Sequence, residues 1–426
     1  MSLLRDFLEV APPGTAETLA ALACAESLTD SVALAIYERV SVPGLSAENF
    51  VFAFKYSGLT EPRNSEWNLA PALRQELVSE CVLAVDASKA VHRMLLSLAE
   101  NGENRKRAGT EVPSYLFTEA GLAYHLAGAG ELEEALKHYS EASKGAFTGA
   151  QWLGANLAEE QERVGVIPAG RVETTFLRAW VLFREGQRRD AMPLFRKVAA
   201  TDLEMREVAI SLHILGNDNN RGQRRDSERQ LRRSIEIGEG LDNQFHVAQT
   251  LHSLANLLSR QGRRFDEAEK AYQRSIKILG ELDNQLGVAQ TLHSLANMLS
   301  RQGRRFDEAE KAYQRSIEID GKLDNQCGVA QTLHSLANLL SRQEGRFDEA
   351  EKAYKRSIAI GEKLRNDNHL AQVLRSYALA IESRSPDETI ELLQRSLDIN
   401  RRRGNQRYVR LVERTIREVR RRVEGR

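Results

Sequence analysis

The chain has 426 residues, enough for two or three domains or one extended array, and its 60 Lys+Arg balance 60 Asp+Glu, so no global field draws it to nucleic acid or anionic membrane. Charged residues (28%) and apolar residues (42%) are at the level of a soluble folded protein, while sparse aromatics (6%) and 9 prolines favour helix. Cys24, Cys81 and Cys327 are too far apart in sequence to read as a disulfide framework or a zinc-ligand cluster, and they fit a reducing compartment. The opening MSLLRDFLEVAPPG lacks the basic start and long apolar core of a signal peptide, and no apolar run approaches the ~20 residues that span a bilayer. A cytoplasmic protein with no membrane association is expected.

Residues 1–110 show no repeat. AETLAALACAES, DSVALAIYERV and SAENFVFAFKYSGL read as three short helices, and TEPRNSEWNLAPALRQELV as a turn, a short extended stretch and another helix. Residues 111–204 hold two helical pairs, GLAYHLAGAGELEEALKHYSEAS (Gly121–Ser143) and LRAWVLFREGQRRDAMPLFRKVA (Leu177–Ala199).

Residues 205–400 repeat with a period of 41. Leu241–Glu281 and Leu282–Lys322 differ at six positions, and a third copy is Leu323–Lys363. A fourth begins at Leu364 and loses two residues at its internal turn, SRSPDE; upstream, VAISLHILG (Val208–Gly216) is a decayed VAQTLHSLA. Each unit is two helices. In the first, Val247, Leu251, Leu254, Ala255 and Leu258 line one face; in the second, Phe265, Ala268, Tyr272, Ile276 and Leu279 do. Gly262 ends the first helix with Arg263 and Arg264 in the turn, Asp266 and Lys270 are spaced as an i,i+4 pair, and Asp283 or Asn284 caps the next unit. Neither helix can bury its stripe alone, so successive pairs must stack into an α-solenoid.

Leu254–Tyr272 reads L-A-x-x-L-x-x-x-G-x-x-x-x-E-A-x-x-x-Y, which resembles the tetratricopeptide (TPR) pattern, with Ala255, Ala268 and Ser275 where paired helices should touch. The long period resembles the kinesin-light-chain-like subclass and the repeat regions of bacterial signalling ATPases of the STAND type. One residue inserted in the intra-repeat turn (QGRRF, QEGRF) departs from the pattern. The resemblance runs from about Val112 to Asn400, and the order of elements in residues 1–110 resembles the winged-helix module that precedes such repeats. It implies an all-α fold: an α-solenoid of TPR helix pairs behind a small N-terminal helical, winged-helix-like domain. No G-x-x-x-x-G-K-[ST] phosphate loop occurs in the sequence.

Catalysis finds little support. His213, His252, His293 and His334 recur once per repeat, about 10 Å apart if helices pack normally, too far to share a metal. His252 and Ser253 are neighbours on a helix and do not face each other. There is no G-x-S-x-G, H-E-x-x-H, glycine-rich nucleotide loop or paired-cysteine motif. The acidic first turns of the second helices favour the helix dipole. Neither an enzyme nor a cofactor is expected.

A polar ladder is the candidate site. Gln249, His252, Asn256 and Arg260 lie at i,i+3/i+4 spacing opposite the apolar face. They recur as Gln290, His293, Asn297 and Arg301, then as Gln331, His334, Asn338 and Arg342; the fourth unit keeps Gln372 but has Arg375 and Leu379. The resemblance places this ladder in the concave groove where TPR proteins contact extended peptides. Asn and Gln offer donor and acceptor to a backbone, and Arg suits carboxylates. Recent duplication alone would also produce it, as plain solvated surface.

Residues 401–426 carry eleven Arg and three Glu. Val409, Val412, Ile416, Val419 and Val423 share a face, which suggests a capping helix with a basic outside, either a nucleic-acid or acidic-partner surface or a solubilising cap. Hence the expected function is a non-catalytic scaffold or adaptor that binds a protein or peptide in its groove and regulates a partner effector in bacterial signalling or defence. The alternative is a nucleic-acid-linked regulator using the N-terminal module or the Arg-rich helix. Acidic residues outnumber basic ones in residues 1–110, and the third helix, Ser46–Leu59, has Lys55 as its one cation, so DNA reading by that module is disfavoured.

Overall fold

The computed structural model describes residues 15–38, 46–55, 60–63, 66–70, 73–75, 77, 85–100, 113–144, 149–218, 224–262, 264–303 and 305–424. Cys81, Arg263 and the expected helix beyond residue 77 lie outside them, as does the side chain of Val423. The chain divides into two compact units, Met1–Leu215 and Gly216–Arg426.

The first unit begins with α1 (Thr15–Ala23), α2 (Asp30–Tyr37) and α3 (Ala47–Lys55). Thr29 starts α2 because its hydroxyl accepts from the Val32 N–H, one of the donors a helix start leaves unpaired. A two-stranded antiparallel hairpin follows, β1 (Thr60–Arg63) against β2 (Glu66–Leu69), and Leu28 exchanges both backbone hydrogen bonds with Trp67 at 2.9 Å. Strand alternation turns Trp67 and Leu69 into a core with Leu19, Leu22, Leu28, Ile36 and Leu95, the last from α4 (Val85–Glu100). Among the described residues this hairpin is the one sheet.

Six more helices follow: α5 (Glu119–Ala129), α6 (Leu132–Ala142), α7 (Gly149–Arg163), α8 (Val172–Arg184), α9 (Arg188–Ala199) and α10 (Arg206–Asn217). The N-terminal elements meet α5 and α7 through a buried polar network. The Glu26 N–H donates to Tyr115 Oη (3.1 Å), leaving the phenol proton for His125 Nε2 (2.8 Å). His125 must then carry its own proton on Nδ1 and donate it to His92 Nδ1, 2.7 Å away. Beside it the Arg74 guanidinium donates to Glu160 and to Tyr124 Oη, and Tyr124 in turn donates to Glu160. Burial, aided by the Arg74 charge, lowers His92 to about 4. Burial also holds His125 well below its ordinary value. Two neutral histidines are therefore required at this seam.

The second unit is a run of helix pairs: α11 (Arg224–Gly240), α12 (Gln244–Ser259), α13 (Phe265–Glu281), α14 (Gln285–Gln302), α15 (Phe306–Lys322), α16 (Gln326–Leu340), α17 (Phe347–Lys363), α18 (Asp367–Ile381), α19 (Pro386–Arg402) and α20 (Gln406–Glu424). The extra residues of the long repeat go into helix length. One apolar core runs through the unit from Leu231 to Val419, and Val409, Val412 and Ile416 of α20 pack into it. Ala255, Ala268 and Ser275 are fully buried where the paired helices touch, and the Ser275 hydroxyl donates to the Ala248 carbonyl at 2.8 Å.

Asn, not Asp, caps each repeat: Asn243, Asn284, Asn325 and Asn366 accept from the N–H three residues on. The residue before it bends the chain through left-handed space, with φ of 50 to 52° at Asp242, Asp283, Asp324 and Arg365. Asp tolerates this conformation better than Arg, whose Cβ crowds the carbonyl without a compensating local bond. Arg365→Gly is therefore expected to stabilise the second unit by about 0.5–1 kcal/mol, the relief exceeding glycine's added unfolded entropy. Thermal denaturation of the variant checks this; a lower midpoint would refute it.

The expected Asp266–Lys270 pair does not form among the described residues. The ion pairing at this turn runs through Arg264 instead, whose guanidinium spans Glu267 (2.5 Å) and Glu228 of the preceding pair (2.6 Å). Arg305 with Glu269 and Glu308, and Arg346 with Glu310 and Glu349, repeat the clamp. A bidentate guanidinium–carboxylate pair is worth more than a single Lys–Asp contact on one exposed helix.

Candidate binding cleft

The first helices of successive pairs, α12, α14 and α16, lie side by side and place the polar ladder along one surface of the second unit. Gln249, Gln290, Gln331 and Gln372 are exposed on it, as are Arg260, Arg301 and Arg342. The histidines and asparagines are half-buried at its floor, not opposite the apolar face as their spacing suggested. The reason is that each of them bonds into the repeat scaffold.

Thr291 gives its hydroxyl proton to the Gly287 carbonyl (2.8 Å), so its oxygen accepts from His252 Nδ1 at 3.0 Å. Ser294 then donates to His252 Nε2 (3.4 Å). His293 Nδ1 meets Thr332 Oγ1 at 2.9 Å. These histidines staple one repeat to the next in neutral form; burial, with His252 nearby, lowers His293 to about 4. They do not converge on a common ion.

The asparagines are polarised by tyrosines. Tyr272, Tyr313 and Tyr354 donate to Oδ1 of Asn256, Asn297 and Asn338, each at 2.7 Å. One lone pair of the amide oxygen is thus taken, and the larger part of the side chain's remaining capacity is its two N–H donors. Ser259 and Ser341 spend their protons on the Asn256 and Asn338 carbonyls, which leaves their oxygens as neutral acceptors.

A cleft of about 410 Å³ collects Asn256, Arg260, Asn297, Arg301, Asn338 and Arg342. No carboxylate lines it. Arg301 donates to the Asn297 carbonyl and to Ser259, and none of the three arginines has an ion-pair partner among the described residues, whereas Arg264, Arg305 and Arg346 each hold two carboxylates. The structure therefore brings together the Asn and Arg rungs of the ladder. His334, Gln372 and Arg375 line a different cavity, at the end of the array. The Tyr–Asn and His–Thr pairs escaped sequence reasoning, although Tyr272 follows Asn256 by 16 residues in every near-identical copy.

In α3, Lys55 is bound to Asp30 at 2.7 Å, and Trp67 Nε1 donates to the same carboxylate. That leaves the helix a poor phosphate-binding surface. No helix among the described residues is long and apolar enough to cross a membrane.

Comparison with known proteins follows the same lines. The family model for the tetratricopeptide repeat matches residues 246–322 and 328–402. No curated protein matches the chain. Among solved structures, the Signal Transduction ATPase with Numerous Domains (STAND) protein with a tetratricopeptide repeat sensor from Pyrococcus horikoshii superposes with a TM-score of 0.52 at 12% identity, over 94% of this chain and 58% of that one. The chain thus spans little more than half of that structure. A Rap protein complexed with Competence and Sporulation Factor (TM-score 0.41, 12% identity, 80% of this chain and 98% of that one) is more distantly similar. So is aspartyl phosphate phosphatase F from Bacillus subtilis (TM-score 0.45, 13% identity, 79% and 94%).

Proposed function

We propose that the tetratricopeptide repeats of residues 246–402 are a non-catalytic scaffold that grips an acidic, extended segment of a protein partner in the cleft across α12, α14 and α16. One observation carries this: three arginines without carboxylate partners and three asparagine amides whose oxygens each accept from a tyrosine face one cleft that has donors and no anionic acceptor. An acceptor-rich, negatively charged strand complements it, and Gln249, Gln290 and Gln331 offer exposed contacts along the same helices. The histidines contribute by fixing the repeat-to-repeat spacing.

Truncating the asparagines to alanine would also strip the tyrosines of their acceptor. The sharper variant is Asn256→Asp/Asn297→Asp/Asn338→Asp, which keeps an oxygen for each phenol and replaces the outward amide by an anion. Binding of a fluorescent Glu-rich peptide is expected to weaken at least about 100-fold, with the circular dichroism spectrum unchanged. Unaltered affinity in this triple variant would sink the reading.

The proposal extends to regulation of a partner effector in bacterial signalling or defence, supported by the likeness of fold to a signal-transduction protein that carries a tetratricopeptide repeat sensor. A pull-down from the native host, with a salt titration of the complex, tests it. A second reading, nucleic-acid binding, draws on Arg407, Arg410, Arg414 and Arg417, which share one face of α20. DNA affinity with a steep salt slope, lost on changing those four to Gln, would promote it.

A further inference from the structure

The His–Thr staple fails at its last step. The residue one repeat on from Thr332 is Val373, which cannot accept from His334, and the residue one repeat on from His334 is Arg375. His334 Nε2 and Arg375 Nε are both buried without a hydrogen-bond partner among the described residues. The two residues line one cavity of about 170 Å³, built by α16, α18, α19 and α20, together with Asn368, Gln372, Asn400 and Tyr408. Asn400 is 3% exposed, and its Nδ2 donates to the Ser396 carbonyl. No carboxylate lines this cavity.

A half-buried guanidinium without a counter-ion is costly, because its charge is partly stripped of water and nothing repays the loss. The arginines of the outer clamps show the ordinary solution, two carboxylates each. The fork of a guanidinium fits the two oxygens of a carboxylate or phosphate, and the cavity has room for one such group. We propose that this cavity is an anion-binding site, in which Arg375 supplies the charge and His334 a neutral donor for a single oxyanion. Binding here goes beyond occupation of the cleft and does not depend on it.

The test uses the full chain and two unfolding signals. All 3 tryptophans, Trp67, Trp152 and Trp180, fall in the first unit, so their fluorescence reads that unit, while far-UV circular dichroism reads both. At about tenfold excess over its Kd, inorganic phosphate or acetate is expected to raise the second unit's melting temperature by about 3–6 °C above a sodium chloride control of equal ionic strength. The tryptophan transition should stay fixed, which separates a site from a general salting effect. Whichever anion acts identifies the group, phosphate or carboxylate.

Arg375→Leu is expected to weaken that anion at least about tenfold and to raise the melting temperature without anion, since an unpaired charge is removed. A structural arginine would do the reverse. The proposal is overturned if neither anion shifts the second unit, if Arg375→Leu keeps the shift, or if it melts lower than the parent. Arg260→Leu, which lies in the cleft, should retain the shift, so failure here and failure of the cleft reading are distinguishable.

Discussion

Gly121→Ala is expected to destabilise the first unit by about 3 kcal/mol, at the upper end of overpacking penalties. An alanine Cβ at this position would lie 2.2 Å from the Tyr115 carbonyl oxygen and 2.9 Å from its carbon, and backbone cannot swing aside as a side chain can. The short turn holding Tyr115 would have to lift off α5. That displaces the phenol lying between the Glu26 N–H and His125, so the seam loses hydrogen bonds as well as packing. Tryptophan fluorescence should show the midpoint falling by about 6–12 °C. A shift of less than about 2 °C would mean that the turn docks more loosely than the structure shows.

Mild acid is expected to destabilise both units, chiefly through their buried histidines. His92, His293 and His334 are each lowered from 6.5 to about 4, chiefly by burial, and His125, His252 and His369 shift the same way. The unfolded chain therefore binds protons below pH 6.5 that the folded chain refuses, and stability falls with pH from 6.5 down to about 4. For His92 alone the loss amounts to about 3 kcal/mol over that window. The lowered carboxylates Glu228 and Glu351 give up their contribution only on further acidification, as pH falls through their folded values below 4.5. Urea midpoints measured from pH 7.5 to 4.5 should decline for fluorescence and circular dichroism alike. A flat profile from pH 7 to 5 would show that the histidines are solvated or already charged.

The 41-residue period and the two stripes per repeat determined the helix pairs, because apolar residues at helical spacing have no other way to leave water. Asn284 as a cap, Ala255 and Ser275 at the helix contact, and the apolar face of α20 were all legible, since each depends on local spacing. The hairpin was half-legible, as an extended stretch, because its pairing with Leu28 is made across the chain.

Tertiary structure alone decided which end of each polar side chain is available. Gln249, His252, Asn256 and Arg260 look alike in a helical projection, yet only Gln and Arg remain exposed, while Thr291 claims His252 and Tyr272 claims the Asn256 oxygen. Hydrogen-bond partners 16 and 39 residues away are invisible to a period of 3.6, and so is the absence of one, as at His334 and Arg375. The sequence determined where the repeats and their polar rungs lie. The packing of one repeat on the next determined that the cleft is rich in donors and holds no anionic acceptor, because the tyrosines bind the asparagine oxygens from behind.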